Sequence, residues 1–163
     1  MEIRRARLDD AAAIAEVHVR SWQAAYEHVF GAERLATLDL GARRRRWEEW
    51  LAADENASVA VEDGRVVAFA WVGPSRDAAD EGELFAIYAL PEAWGSGAGR
   101  ELMAVALAAL RDVGYAEAIL WVLGDNPRAR RFYEREGWHD DGARKSDEFL
   151  GVQVEEARYR IAF

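Results

Sequence analysis

Leu84-Phe85-Ala86-Ile87-Tyr88-Ala89-Leu90-Pro91-Glu92-Ala93-Trp94-Gly95-Ser96-Gly97-Ala98-Gly99-Arg100 is the stretch that decides how this chain folds. Its first seven residues are an apolar run of strand length, and Pro91 stops it. The segment from Trp94 to Arg100 is dense in glycine, and from Glu101 to Val113 the apolar residues recur at helical spacing. A buried strand therefore runs into a tight turn that opens a helix. Glycines at positions 95, 97 and 99 let main-chain N–H groups turn toward one centre without a Cβ in the way. The start of the helix adds unpaired donors and the positive end of its dipole. Such a turn is suited to phosphate. Charge-assisted hydrogen bonds contribute roughly 1.5–3 kcal/mol each, so a few converging donors would hold a pyrophosphate firmly.

Downstream, the helix from Gly99 to Val113 should turn Leu102, Met103, Ala106, Leu107, Leu110 and Val113 inward, and Gly114 should end it. Ala118 to Leu123 is nearly all apolar, as in a strand covered on both faces. Strand, helix and strand in this order predict a right-handed parallel crossover. Asn126-Pro127 opens a further helix, with Asn at the cap and Pro at the first helical position. It should end at Gly137, with Ala129, Phe132, Tyr133 and Glu136 along one side. Trp138–Ala143 and Val154–Ile161 read as a closing antiparallel pair, with Lys145-Ser146-Asp147 in a polar stretch between them.

Upstream, Val59–Val61 and Val66–Val72 flank Asp63-Gly64, a strong hairpin signal. Residues 75–82 read as a loop, and Glu2–Ala6 as an edge strand. Asp9 is the expected cap of a helix in which Ile14, Val17, His18, Ser21, Trp22, Ala25 and Val29 share a face until Gly31 breaks it. A second helix, Ala42–Ala53, presents Trp47, Trp50 and Leu51 together. The run Arg43-Arg44-Arg45-Arg46 at its start reads as a solvated face alternating with Glu48 and Glu49; an anion site is the alternative. His18 reads as a satisfied interior histidine.

Composition limits what the chain can do. With 163 residues, 51% of them apolar, it is most simply one domain spanning 1–163 with a sizeable core. No apolar run reaches membrane-spanning length, and the start leads into charge, so a soluble cytoplasmic protein is expected. The absence of cysteine excludes disulfides, thiolate chemistry and cysteine-bound zinc. His18, His28 and His139 form no metal-spaced pair, so no metal site is expected. A net charge of −9, from 21 basic and 30 acidic residues, disfavours nucleic acid and mildly favours a cationic acceptor.

Taken together, these blocks resemble the GCN5-related N-acetyltransferases, the GNAT superfamily. The family's central motif is Gln/Arg-x-x-Gly-x-Gly/Ala, following a strand and opening a helix. The matching residues are Trp94-Gly95-Ser96-Gly97-Ala98-Gly99, with both closing glycines present and Trp94 where Gln or Arg is usual. Asn126-Pro127-Arg128-Ala129-Arg130-Arg131-Phe132-Tyr133-Glu134-Arg135-Glu136-Gly137-Trp138 is similar to the family's Asn-x-x-Ala-x-x-x-Tyr-x-x-x-Gly-Phe block, with Trp138 in place of Phe. The likeness covers residues 57–138. The early helix with Trp22 and Tyr26 is similar to that of small bacterial members.

The resemblance implies an α/β (α+β) domain: a mixed sheet of about six to seven strands with a splayed parallel pair, flanked by about four helices. It implies acetyl-CoA as cofactor and acyl transfer to an amine. Ile87, Tyr88 and Ala89 would pair with the pantetheine arm through the backbone, one of their N–H groups serving the oxyanion. Gly95, Ser96, Gly97, Ala98, Gly99 and Arg100 would take the pyrophosphate. Asn126 would lie near the pantetheine, and Arg130 would reach the cofactor from the next helix. Tyr133 matches the family's general acid, with a core tyrosine as the plain alternative. Glu83 is a candidate base on the organising strand, with Glu81 competing and a solvated strand-end charge as the structural alternative. Trp22 and Tyr26 are placed at the acceptor pocket or in the core. Some protein-modifying members carry a Glu base where this chain has Trp121.

The leading expectation is acetyl transfer to a small-molecule amine. The others are acetylation of a protein N-terminus or lysine, a catalytically silent acyl-CoA-binding module, and a dinucleotide-binding unit. The last is disfavoured because the glycine spacing and the position in the chain are wrong. Dimers are common among similar proteins, so a homodimer is compatible.

Overall fold

A computed structural model describes all 163 residues. Strand β1 (Glu2–Arg5) leads through a 3₁₀ turn to helix α1 (Ala11–Ala25), the short helices α2 (Glu27–Phe30) and α3 (Ala32–Leu35), and α4 (Leu40–Ala52). Strands β2 (Asn56–Glu62), β3 (Arg65–Pro74) and β4 (Gly82–Ala89) follow, then α5 (Ala98–Val113), β5 (Glu117–Leu123), α6 (Pro127–Arg135), β6 (His139–Phe149) and β7 (Val152–Ala162). The strands form one seven-stranded sheet in the order β1-β2-β3-β4-β5-β7-β6. All neighbours are antiparallel except β4 and β5, the parallel crossover pair expected from the sequence.

That pair shapes the molecule. β4 and β5 are in register only at Gly82↔Ala118 and Glu83↔Ile119, and then separate. On its far side β5 keeps β7 over its whole length, from Glu117↔Ala162 to Leu123↔Glu156. β4 keeps β3, but the register slips: Trp71 faces Ala86 and Val72 faces Leu84, leaving Phe85 as the extra residue of a bulge. A bulge bends its strand and increases the local twist, which turns β4 away from β5.

Helices cover both faces. Phe69 and Trp71 of β3 meet Trp47 and Trp50 of α4, with ring centroids 4.5–5.3 Å apart. Pro74 stands on the opposite face by strand alternation, and its register partner Gly82 lies under Leu110 of α5. A Cβ at Gly82 would sit 2.8 Å from Leu110, so only glycine allows α5 to pack so closely at the root of the split. The main core runs through both layers and includes Ile14, Trp47, Phe69, Leu102 and Leu120. A smaller cluster of Tyr26, Phe30, Leu35 and Leu123 closes the far end.

Several local readings are corrected. The acid at the start of α1 is Asp10 rather than Asp9. Its carboxylate accepts from the Arg7 N–H at 2.7 Å and from both Arg4 Nη atoms at 2.8 and 2.9 Å, tying β1 to the helix. The Arg4 guanidinium holds this carboxyl below its ordinary pKa. The first helix stops at Ala25, before Gly31. Val113 is 66% exposed rather than inward. Lys145-Ser146-Asp147 belongs to β6, which reaches Phe149 and returns through Leu150 (φ 51°) and Gly151 (φ 76°). That turn repeats the geometry of Asp63 (φ 50°) and Gly64 (φ 78°), but with a leucine where the chain turns left-handed.

Candidate active site

The glycine turn is an array of free donors. Gly95 and Gly97 have φ of 78° and 95°, which side chains rarely adopt, and Gly97 caps α5. The Ser96 N–H is used by the Ala93 carbonyl, and the Ala98 N–H points at Ser96 Oγ, 3.3 Å away. The N–H groups of Gly95, Gly97, Gly99 and Arg100 have no acceptor in the protein. Four donors at the positive end of a sixteen-residue helix make an anion cradle. Trp94 closes its rim: Nε1 donates to the Ala89 carbonyl at 3.0 Å, and the Arg128 guanidinium lies over the indole at 3.7 Å. Burial lowers the Arg128 pKa, and no carboxylate pairs with it.

From the cradle a cleft of about 730 Å³ follows the split between β4 and β5. The Leu90 N–H donates to Val67 of β3, so by alternation Tyr88 and Ala86 turn their main-chain groups to β3 as well. Ile87 and Ala89 turn theirs into the split, where β5 has already departed. Of the three expected backbone partners, Ile87 offers both main-chain groups on an open strand edge and Ala89 its N–H, the Ala89 carbonyl being taken by Trp94. Tyr88 instead contributes its ring, stacked on His18 at 5.1 Å.

Tyr133, on α6, is buried and opens onto the same cleft. Its hydroxyl makes no hydrogen bond within the chain, and burial pushes its pKa well above the ordinary phenol value, so it keeps its proton. Asn126 is held at both ends: Oδ1 accepts from the Ala129 N–H at 3.1 Å as the cap of α6, and Nδ2 donates to the Tyr26 hydroxyl at 3.1 Å. Tyr26 is thereby fixed as a wall. Trp22 stands beside it at 5.0 Å, partly exposed to the cleft, with Nε1 unpartnered.

Two expected residues face other partners. Arg130 donates to the Tyr159 hydroxyl at 3.0 Å and to the Gly124 carbonyl at 3.1 Å, and it lies outside the cleft. Arg128, two positions earlier, does reach it, as does Arg135 at the end of α6. Glu83 borders the cleft but is clamped: Arg76 Nη2 donates to Oε2 at 2.6 Å and the Arg76 N–H to Oε1 at 3.0 Å. It is 1% exposed and acts as a strut for the loop before β4. Glu81 is held by Arg160, away from the cleft.

The buried carboxylate of the cleft that lacks an ion pair is Glu156 of β7. It is 7% exposed, lines the cleft, and its Oε1 has no partner. Burial raises its pKa above the ordinary carboxylate value, with the nearby Lys145 pulling the other way. Its charge in turn helps to raise the pKa of Tyr26 and Tyr88. His18, read as a satisfied interior residue, also faces the cleft. Its Nδ1 is unpartnered, and burial together with the Arg43 charge lowers its pKa to about 3, so it is neutral.

No cluster of His, Asp or Glu suited to a metal ion is present, and no helix is long and apolar enough to cross a membrane. Comparison with known proteins fits this geometry. The chain is 34% identical over 133 residues to the uncharacterized N-acetyltransferase YuaI of Bacillus subtilis, covering 77% of this chain and 73% of that protein. PaiA N-acetyltransferase of Thermoplasma acidophilum, solved in complex with coenzyme A, has a similar fold: TM-score 0.74, 20% identity, covering 99% of this chain and 98% of that one. Ribosomal-protein-alanine N-acetyltransferase of Brucella melitensis aligns over the full length of both chains, with TM-score 0.76 and 22% identity. The acetyltransferase (GNAT) family model matches residues 12–138, and the chain belongs to that family.

Proposed function

We propose that this chain transfers the acetyl group of acetyl-CoA to a primary amine on a small molecule. One observation carries the reading: the phenol of Tyr133 and the carboxylate of Glu156, neither satisfied within the protein, face one cleft that begins at a four-donor anion cradle. The residues present suit the cofactor. The N–H groups of Gly95, Gly97, Gly99 and Arg100 would bind its diphosphate, with Ser96 and Ala98 shaping the turn and Arg128 adding charge at the rim. The open edge of Ile87 and Ala89 would bind its amide-bearing arm.

When bound, the cofactor supplies an activated thioester carbonyl. Tyr133 Oη, kept protonated by burial, holds the proton that the departing sulfur requires. Glu156 takes the place that Glu83 and Glu81 were expected to fill. A carboxylate with a raised pKa accepts a proton from an incoming ammonium more readily than an ordinary one. The Ile87 or Ala89 N–H donates toward negative charge developing in the split. Trp22, Tyr26 and Tyr88 exclude water from one wall. A cleft of this size, closed by α4 on one side and the β6–β7 hairpin on the other, supports a small acceptor rather than a folded surface.

The test is release of free thiol from acetyl-CoA across a panel of primary amines, with coenzyme A binding followed by calorimetry. Turnover with at least one small amine is expected. Tight binding without turnover on any amine would leave a silent acyl-CoA-binding module, and no binding at all would overturn the reading.

A further inference from the structure

The four arginines that open α4 do not behave alike. Arg44 pairs with Glu48 at 3.0 Å, and Arg46 pairs with Glu49 at 3.1 Å while lying over Trp50. Arg43 makes no ion pair and no side-chain hydrogen bond, and it lines the cleft. It stands near Tyr88 and His18, and the fixed charge acting on it is that of Arg46, with no carboxylate opposing it. Half-buried, its guanidinium is short of water, which draws its pKa down. An uncompensated cation in such a place is unfavourable unless something completes it.

Its surroundings describe what would do so. Trp50, Trp71 and Phe85 form an aromatic ladder beside it, with ring centroids 4.5 and 4.8 Å apart. The same cleft is lined by Glu156, the group read above as meeting the amine. Tyr88 neighbours Arg43, and the Glu156 charge helps to raise its pKa. The cleft therefore carries a buried carboxylate without an ion pair on β7 and a half-buried cation without one on α4. A planar guanidinium with free N–H groups suits a carboxylate or phosphate, which it grips through two parallel hydrogen bonds.

We propose that the acceptor is an amine that also carries an anionic group, carboxylate or phosphate, and that Arg43 binds that group while Glu156 receives the amine. This inference rests on the acetyl-transfer reading. It deepens the reading of the arginine run, in which one residue is an anion site and its neighbours are a solvated face.

The experiment uses matched acceptors on the whole protein: amino acids against their primary amides, and phosphoethanolamine against ethanolamine. Each is assayed with wild type, Arg43→Gln and Arg43→Lys. Wild type should favour the anionic member of a pair. Arg43→Gln should lower kcat/KM for that member by roughly 10- to 100-fold, as expected for a lost charge-assisted hydrogen bond. The neutral member and coenzyme A affinity should be little changed, and Arg43→Lys should restore part of the loss. The two pair types separate carboxylate from phosphate. A second readout needs no turnover: tryptophan fluorescence should report weaker binding of the anionic member to Arg43→Gln without acetyl-CoA present. Equal effects on both members, or a wild-type preference for the neutral ones, would overturn the role of Arg43. Thiol release with no amine would overturn acetyl transfer, while the fluorescence titration still decides for or against the anion site.

Discussion

Glu156→Gln should lower activity and raise stability together. The substitution keeps the shape of the side chain and removes its ability to take a proton. A lost general base reduces turnover by about 10²- to 10⁴-fold. The stability effect follows from where the carboxylate sits: 7% exposed, with Oε1 unpartnered and a pKa raised chiefly by burial. Because the folded-state pKa is the higher one, the folded protein holds the Glu156 proton more tightly than the unfolded chain does. Below the unfolded value both states are protonated and the group is neutral in its effect. As pH rises from about the ordinary 4.5 through the folded pKa, the folded state loses stability, and the deficit persists at neutral pH.

Glutamine removes that charge but leaves its own amide imperfectly partnered. The expected gain is therefore about 1 kcal/mol, toward the low end of what an unsatisfied buried group costs. For a chain of this size that is roughly 2–4 °C in Tm. Thermal melts of wild type and variant at pH 4 and pH 8, beside thiol-release kinetics, test both halves. The Tm difference should appear at pH 8 and vanish at pH 4. In wild type the acid limb of kcat/KM should lie above the ordinary carboxylate range, and the variant should lack it. A variant that melts lower at pH 8, or that keeps its turnover, would refute the argument, because a purely structural carboxylate would produce the first and a bystander the second.

Tyr133→Phe should lower kcat by on the order of 10²-fold, the low end for a lost general acid, while calorimetry finds coenzyme A affinity unchanged. Arg128→Ala should weaken coenzyme A binding several-fold by calorimetry. Arg130→Ala should leave that affinity intact and lower Tm by a few degrees, since its partners are Tyr159 and the Gly124 carbonyl.

The parts of the fold that could be read from the chain are those whose cause is local. Asp63-Gly64 specifies its hairpin, the Leu84–Arg100 stretch its strand, turn and helix, and Asn126-Pro127 the start of α6. Each rests on a backbone preference that neighbouring residues fix. The residues that could not be read are those whose direction depends on a distant partner. Glu155 and Glu156 are adjacent and identical, and only the pairing of β7 with β5 decides that Glu156 faces inward opposite Leu123. Arg43 differs from Arg44 only in which side of α4 meets the cleft. Arg128 and Arg130 stand about 200° apart around one helix, so the packing of α6 sends one to the cleft and the other to Tyr159. The pairing of β6 with β7 was legible, but the length of the hairpin was obscured for a further reason: β6 is a polar edge strand, and its turn carries leucine where asparagine or glycine would have announced it.

Trp94 is where the chain departs from the family's motif, and its geometry shows what replaces the missing Gln or Arg. The turn that holds the donors at Gly95 and Gly97 follows directly on Trp94 and the end of β4. The indole braces it by donating to the Ala89 carbonyl. That bond also occupies a main-chain group that the splaying of β5 leaves without a strand partner. An indole carries no charge to offer an anion, but its face holds the Arg128 guanidinium at 3.7 Å, and Arg128 has no competing carboxylate. On the reading proposed above, the motif's one polar side chain is divided between two residues, Trp94 orienting the cradle and Arg128 supplying its charge. The division has a consequence for binding: Trp94→Ala should weaken coenzyme A at least as much as Arg128→Ala, since it removes the platform together with the brace.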